Sequence, residues 1–497
     1  MFAGLQGRRS FWPRGVVLGG SSSVNGMLHV RGSRHDFDRW AQYTGDESWD
    51  YRHVLPYFKK SEGVADDHLA TSNFRGKDGP MRVSVMGKDS EMSNKIIQAF
   101  QEIGYPYNKD YNGRTMEGIG NSQMSMYKRE RWSTARGYIH PILDRGNLHV
   151  SLHSFVLKVI IDDRNRAVGV EVLKDNRKIR VMAKKEVILS AGAIQTPQIL
   201  MLSGVGPARQ LRDLGIQVKA DLPVGQNLQD HVFFYMPIAI SQPISVDEGA
   251  ADSLWAYVQH VVFGTGPLGR PAQENLFFTS ITERARSLDW PDLQIHFYSR
   301  YMNRLGMRAV YYDPDLIDEL TPYREASPYG WICRPSLLQP RSVGNLSLSS
   351  RDPFDDPVIH ANYLGRREDM DVLMKGLDIC QKVVKSKTMA QIGSRLTESK
   401  SISVCRQHKF DSPAYWECYI RATLLTIYHP SGTCKMGGDN DASSVVDSAL
   451  RVRGVAGLRV IDASVMPFIV SANPHANVVM LAEKVADVIR ARPGLPP

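Results

Sequence analysis

The sequence of 497 residues lacks the features that define several protein classes. No apolar run reaches the roughly 18 residues of a membrane-spanning helix, so we expect no transmembrane segment. The opening residues reach Arg8 and Arg9 before any apolar signal core forms, which predicts no signal peptide in this chain. Five cysteines are too few for a disulfide scaffold, and none has the short paired spacing of a zinc site. We therefore expect no metal centre.

Concentrated positive charge is also missing, although the formal net charge is +9. The basic runs at 128–131 and 184–186 are short and contain Glu130 and Glu186. Interleaved charge of this kind is typical of a solvated surface, so no nucleic-acid partner is expected. With 42% hydrophobic residues, a chain of this length can bury a large core and is expected to hold more than one domain.

We expect no Gly-x-Gly-x-x-Gly turn, the usual cradle of a dinucleotide, anywhere in the chain. Instead, an extended segment at 13–18 leads into Gly19-Gly20-Ser21-Ser22. Four residues without bulky side chains let the backbone approach a flat or charged group, and they offer N–H and hydroxyl donors. A purely structural glycine-rich turn is the alternative. A serine hydrolase is not indicated, because no Gly-x-Ser-x-Gly elbow is present.

Hydrophobic periodicity predicts a mixture of helices and strands in the first half of the chain. A buried strand at 186–192 closes on small residues and precedes a helix at 196–204, which brings a strand end and a helix N-terminus to one sheet edge. Such an edge suits a nucleotide, although strand-turn-helix units are common. The other predicted elements are helices at 52–61 and 89–103 and an antiparallel meander at 148–152, 156–161 and 167–172.

The second half predicts a separate domain and then a return to the first. An antiparallel sheet over about 232–362 would form the wall opposite a nucleotide. Helical patterns follow at 366–394, and a strand at 457–462 and a helix at 476–491 complete a discontinuous α/β unit. The fold class is therefore α/β with an α+β substrate domain. The predicted boundaries are 1–231 and 426–497 for the nucleotide-binding domain, 232–365 for the sheet and 366–425 for its helices.

Two short motifs near the end of the chain carry the strongest functional signal. Tyr428-His429-Pro430 is followed, after the predicted strand, by Asn473-Pro474-His475 at the start of an apolar helix. An imidazole can take the proton of an alcohol near neutral pH, and an amide can hold the oxygen. The pattern therefore indicates alcohol oxidation. Which of Asn473 and His475 faces the substrate stays open.

With these residues placed, the chain resembles the glucose-methanol-choline (GMC) oxidoreductases, and among them the insect glucose dehydrogenase group. The likeness rests on the segments 14–25, 192–206, 224–231 and 428–434, which occur in the family's order. The resemblance implies a Rossmann-like FAD-binding domain and hydride transfer from an alcohol or sugar to flavin N5. It also implies that electrons pass to a quinone-like acceptor.

The resemblance also assigns residues. It implies His429 as the catalytic base, and Asn473 or His475 as its partner, where the family carries His or Asn. The expected FAD contacts lie along the small-residue turn, the first meander strands and the two strand ends that form the nucleotide edge. They are Val17, Gly19, Gly20, Ser21, Ser22, Asn25, Gly26, Val156, Ala191, Asp462, Ala463 and Pro474.

Family members begin with a strand, the Gly-x-Gly-x-x-Gly turn, a helix and a second strand, a unit expected to be missing from this chain. The resemblance therefore implies a truncated FAD-binding domain that binds FAD weakly, within a full-length FAD alcohol dehydrogenase. The alternative is a non-catalytic GMC-like protein that is unable to hold FAD.

Two features bear on the compartment. Cys405 and Cys418 flank a segment that could fold back as a loop, and a disulfide or two unrelated buried thiols are both compatible with this. A bridge would indicate an oxidising environment. Together with the single sequon at Asn345-Leu346-Ser347, it predicts that the full-length protein is secreted.

Overall fold

The computed structural model describes residues 10–246, 253–263, 266–269, 271, 273–301, 307–308, 314–320, 327–396 and 402–491. The first nine residues, on which the prediction of no signal peptide rests, lie outside these ranges. Within them, no helix combines the length and apolar character needed to cross a membrane. The α-helices are Arg34–Thr44, Tyr51–Ser61, Asp67–Ala70, Glu91–Glu102, Gly192–Leu202, Ala208–Asp213, Leu254–Phe263, Glu283–Leu288, Pro314–Leu320, Arg367–Val384, Lys387–Gln391, Pro413–Thr423 and His475–Ile489.

The predicted return of the chain to its first domain is seen in a parallel strand pair. Val187–Leu189 pairs in register with Leu458–Val460, so residues far apart in sequence share one sheet edge. The helix Gly192–Leu202 begins four residues earlier than predicted and contains Pro197. Proline lacks the N–H that would bond the Ala193 carbonyl, and the hydroxyl of Thr433 donates to that carbonyl instead at 2.7 Å. A partner from the returning chain thus stabilises the helix.

The meander exists, but its strands differ from the prediction. Ser154–Ile161, Ala167–Lys174 and Arg177–Met182 form a three-stranded antiparallel sheet. The predicted strand at 148–152 is wrong, because this segment is exposed and pairs with no neighbour among the described residues. Its apolar alternation therefore has no core to face. Arg177–Met182 was not predicted, although Ile179 and Val181 alternate with basic residues, and it is exposed along its whole length.

The second half builds the predicted antiparallel sheet, which has eight strands. It includes Gly118–Asn121, which the sequence analysis assigned to the first domain, and Leu425–Thr426 from the segment before the catalytic motif. The strands in order are Arg395–Leu396, Met236–Ala239, Gly330–Leu337, Leu293–Tyr298, Gln273–Thr279 and Gly118–Asn121, with Val232–Phe233 and Leu425–Thr426 paired to one another beside Gly330–Leu337.

The two faces of this sheet have opposite chemistry. Along Leu293–Tyr298, the side chains of Leu293, Ile295 and Phe297 are buried in one hydrophobic core with the helix Arg367–Val384. The helix approaches closely at Gly376, where a Cβ would lie 2.7 Å from Pro335. Because successive strand residues point to opposite faces, the alternate positions present polar side chains on the other side. That side faces the catalytic motifs, and we call it the polar face.

The cysteines form two disulfides. Cys405–Cys418 confirms the bridge that the sequence left open. Cys333–Cys380 was not predicted, because the two residues are 47 positions apart and meet only when the sheet packs on its helix. Cys434 is a buried free thiol.

The expectation that the Gly-x-Gly-x-x-Gly spacing is absent is wrong, because it occurs once, at 264–269. It follows the helix Leu254–Phe263 and does not join a buried strand to a helix, so it lacks the context of a dinucleotide turn. Gly264 and Thr265 lie outside the described residues.

Candidate active site

The small-residue turn near the amino-terminal end is fixed by contacts from a distant segment. Gly20–Ser23 forms a short 3₁₀-helix, and the Ser22 hydroxyl donates to the Gly19 carbonyl at 2.6 Å. The same hydroxyl accepts from the Thr134 backbone N–H at 3.0 Å. Arg131 donates to both the carbonyl and the side-chain oxygen of Asn25, at 2.7 and 2.9 Å. The turn is therefore held from behind, while Val17, Ser21 and Gly26 remain exposed.

Open space lies in front of several glycines in the predicted FAD contacts. An added Cβ would meet no atom within 4 Å at Gly20, Gly26 or Gly192. Gly20 and Gly192 also have positive φ values of 55° and 84°, which favour glycine. Close approach of a ligand to bare backbone needs this combination. These residues therefore fit the flat, phosphate-bearing FAD.

A buried carboxylate joins the two strand ends of the nucleotide edge. Asp462 Oδ2 accepts from the Gly192 N–H at 2.9 Å and from the Thr196 hydroxyl at 2.6 Å. Its Oδ1 accepts from the Ser464 N–H at 2.8 Å. Next to it, the Ala463 carbonyl accepts from the Gly432 N–H at 3.1 Å. Asp462 thus fixes the start of the helix Gly192–Leu202, and the neighbouring Ala463 carbonyl holds the loop that bears His429.

The remaining predicted FAD contacts have plainer surroundings. Ala191 is exposed and forms the N-cap of the helix Gly192–Leu202, and Pro474 forms the N-cap of His475–Ile489. Val156 is half-buried and pairs with Val172 in the meander. Their contacts with FAD stay predictions.

A buried carboxylate holds His429 in place by accepting from its backbone N–H. Asp230 accepts from the His429 N–H at 2.9 Å and from the hydroxyls of Tyr363 and Thr426, each at 2.5 Å. Burial raises the pKa of Asp230 to about 6. The folded state therefore holds this proton more tightly than the unfolded chain, and that contribution to stability is lost as the pH rises through about 6.

Arg14, which precedes the small-residue turn, donates to the Tyr428 carbonyl at 3.3 Å and brings the two motifs together.

Hydrogen bonds to His231 fix the tautomer of His429. His231 Nε2 lies 2.9 Å from the Leu338 carbonyl, which can only accept, so Nε2 carries the proton. Burial lowers the pKa of His231 to about 4, which leaves its Nδ1 as a lone-pair acceptor. His429 Nδ1 lies 3.0 Å from that atom and must donate to it. His429 Nε2 is consequently the free base of the ring.

Asn473, and not His475, contacts that base. Gln294 Nε2 donates to Asn473 Oδ1 at 3.1 Å, which turns the Asn473 amide nitrogen toward His429 Nε2 at 3.3 Å. His475 makes no contact with His429 among the described residues. Burial lowers its pKa to about 4, with the charges of His29 and Arg131 adding to the effect. At the start of this helix, Asn473 therefore points toward His429, and His475 points toward Arg131 beside the small-residue turn.

The surroundings of His429 favour its neutral form. Burial, together with the electrostatic effects of His231, His296, Arg14 and Arg334, holds the pKa of His429 well below its usual value. The imidazole is therefore a proton acceptor across the neutral range. The arrangement offers one base and one amide donor at a single point.

Sequence reasoning missed three residues of this site: Asp230, His231 and Gln294. The first two lie in the segment 224–231, which is one of the segments that carry the family resemblance. The resemblance gave neither residue a role. Gln294 carries no local signal, since it is one polar residue in an alternating strand.

Comparison with known proteins matches both parts of the chain to one family. The amino-terminal GMC oxidoreductase domain matches residues 1–233, and the carboxyl-terminal domain matches residues 340–482. Mouse mitochondrial choline dehydrogenase is 36% identical over 99% of this chain and 78% of its own length. The Drosophila melanogaster glucose dehydrogenase [FAD, quinone] is also 36% identical, over 97% of this chain and 75% of its own. The insect group therefore does not stand apart from the choline dehydrogenases.

Solved structures agree on the fold. Pyridoxine 4-oxidase from Mesorbium loti is 25% identical and superposes with a TM-score of 0.80, covering 99% of this chain and 87% of that chain. A formate oxidase is 25% identical with a TM-score of 0.83, over 96% and 84%. The chain therefore belongs to the GMC oxidoreductases, a family of FAD-binding enzymes.

Proposed function

We propose that this protein oxidises an alcohol or sugar at the CH–OH group, with His429 as the base. The single observation that supports this most strongly is the contact of Asn473 with the unprotonated Nε2 of His429. When bound, FAD supplies the two-electron acceptor for this chemistry. The non-catalytic alternative is not favoured, because the base, its tautomer and its amide partner are all in place.

The residues of the chain divide the proton chemistry between them. The substrate hydroxyl would lie beside the pair formed by His429 Nε2 and the Asn473 amide, within hydrogen-bond distance of both. Nε2 accepts the hydroxyl proton, while Asn473 donates a hydrogen bond that holds the oxygen as the carbonyl forms. His231 accepts from Nδ1 throughout, so the positive charge that develops on the ring is stabilised by a fixed hydrogen bond.

The electron acceptor and the compartment belong to the same proposal. A quinone-like acceptor is supported by the name of the Drosophila relative. Dioxygen is the competing acceptor, since pyridoxine 4-oxidase and formate oxidase share the fold. Secretion of the full-length protein is supported by the two disulfides, which persist in oxidising compartments.

Reduction of bound FAD by alcohols tests this function. The protein, reconstituted with FAD, should lose the absorbance of oxidised flavin when mixed anaerobically with benzyl alcohol, glucose or choline. At least one of the three is expected to bleach it, and a quinone should then restore the colour. A fully loaded protein that is reduced neither by these three nor by an alcohol that carries a carboxylate would contradict the proposed activity.

The pH dependence of turnover should reflect the low pKa of His429. Because the neutral imidazole is the active form, kcat/KM should stay constant as the pH falls through 6.5, the ordinary value for histidine, and decline only well below it. The measurement is kcat/KM from pH about 5 to 8, with flavin content checked at each pH. An acid limb centred at or above the ordinary value would show that burial does not keep His429 neutral.

A further inference from the structure

The polar face of the eight-stranded sheet contains a buried cation with no counter-ion. Arg334 is 7% exposed, and its guanidinium lies 3.6 Å from the centroid of the Phe233 ring. No carboxylate of the described residues is within ion-pair distance of it, and its Nε has no hydrogen-bond partner. The rings of Phe233, Tyr235 and Tyr298 stabilise the guanidinium in part. A buried charge without a counter-ion is still costly, so its retention points to a ligand.

A directed chain of hydrogen bonds runs from Arg334 along this face. Arg334 Nη1 donates to the Tyr298 hydroxyl at 2.5 Å, and that hydroxyl donates to Gln273 Oε1 at 2.9 Å. Gln273 Nε2 in turn donates to His296 Nδ1. The direction is forced, because a guanidinium can only donate. His296 Nε2 is therefore left carrying a proton, and it too has no partner although His296 is 1% exposed.

These two orphan donors lie on the catalytic side of the sheet. His296 alternates with Ile295 and Phe297 of the core, and Arg334 is its direct cross-strand neighbour. Both groups act electrostatically on His429, as does Arg14. Asp230, the carboxylate that accepts from the His429 N–H, is already engaged by the hydroxyls of Tyr363 and Thr426. Among the described residues, neither Arg334 nor His296 has a carboxylate within ion-pair distance, and each keeps an unused N–H donor.

We propose that Arg334 and His296 bind an anionic, oxygen-rich end of the substrate, so that the preferred substrate is an alcohol that carries a carboxylate. This inference rests on the proposed function and specifies its substrate class. A carboxylate would accept from Arg334 Nε and His296 Nε2, and would neutralise the buried guanidinium. A quaternary ammonium alcohol would instead place a second cation beside Arg334. Neutral polyols would satisfy the donors but leave the charge without a partner.

Three benzyl alcohols with different para substituents test the proposal, because the reacting group is constant. The substituents are a carboxylate, a hydroxymethyl group and a trimethylammonium group. We expect kcat/KM to fall in that order, with the carboxylate preferred over hydroxymethyl by about 10- to 100-fold, the size of one charge-assisted bond. In Arg334→Met, which keeps the packing on Phe233, that ratio should fall to about one, mainly through KM. Arg334→Lys should restore part of it.

A binding measurement separates this proposal from the proposed function. Benzoate carries the anion without a reacting alcohol, and its binding can be followed by the change in the absorbance of bound FAD. It should bind the native protein at least about tenfold more tightly than Arg334→Met, even if no alcohol is oxidised. Tyr298→Phe, which removes a single oxygen from the hydrogen-bond chain, should weaken benzoate by a few-fold and fold normally. Equal benzoate binding by native protein and Arg334→Met, or a preference for the trimethylammonium alcohol, would overturn the assignment.

Discussion

The variant His429→Ala should bind FAD and lose most of its turnover. We expect kcat/KM for alcohol oxidation to fall by about 10²- to 10⁴-fold, the usual contribution of a positioned general base. The ring is only half-buried, and the backbone of His429 keeps its hydrogen bond to Asp230, so folding should survive. The measurement is flavin reduction under single-turnover conditions, with FAD content matched to the native protein. Native turnover in this variant would remove His429 from the mechanism.

His231→Leu provides the matched comparison. It keeps His429 but removes the acceptor for Nδ1–H, so the ring is free to adopt the unreactive tautomer. The loss should be about tenfold, the size of one hydrogen bond, and the acid limb of kcat/KM should shift. His231→Gln, which can still accept and donate, should recover part of the activity. An effect of His231→Leu as large as that of His429→Ala would mean that the two histidines act as one unit.

The second large effect is expected from Asp462→Ala. This change removes the acceptor of two backbone N–H groups and of the Thr196 hydroxyl, all at a buried site. Each orphaned donor costs about 1–3 kcal/mol, so the free energy of unfolding should fall by at least about 3 kcal/mol. The variant should also bind FAD more weakly, because Asp462 holds the Gly192 turn, which is next to the predicted FAD contact Ala191. Chemical denaturation and flavin fluorescence after gel filtration measure the two effects.

Asp162→Ala is the control for that experiment. Asp162 also accepts from two backbone N–H groups, those of Arg164 and Arg166, each at 2.9 Å. It does so in an exposed turn, where water replaces the lost acceptor. The free energy of unfolding should therefore change by less than about 1 kcal/mol, and the affinity for FAD should equal that of the native protein. Equal losses in the two variants would show that burial of Asp462 does not matter.

Local sequence patterns predicted those parts of the molecule that depend on neighbours in the chain. The helices Tyr51–Ser61 and Glu91–Glu102 agree with their periodicity within two residues. Where a strand depends on a distant partner, the prediction was less accurate. The segment at 148–152 and the strand Arg177–Met182 both have short alternating patterns, but only the second pairs with a neighbouring strand among the described residues.

The same distinction applies to the candidate site. The motif around His429 and the Asn473-Pro474-His475 segment were evident in the sequence, but the choice between Asn473 and His475 was not. It depends on the direction in which the first turn of His475–Ile489 points and on Gln294, a residue 179 positions away. The tautomer of His429 depends likewise on a contact across 198 positions. The spacing of neighbouring residues in the sequence carries no signal for either contact.

The polar face and the hydrophobic core lie on opposite sides of the strand Leu293–Tyr298. Alternate residues of this strand therefore line the substrate site or pack in the core. Inserting a single residue there would turn the side chains of Ile295 and Phe297 toward the polar face, and those of Gln294 and His296 into the hydrophobic core. New substrate preferences can therefore arise in this strand only through point substitutions at alternate positions. Changes in length are confined to the loops at its ends.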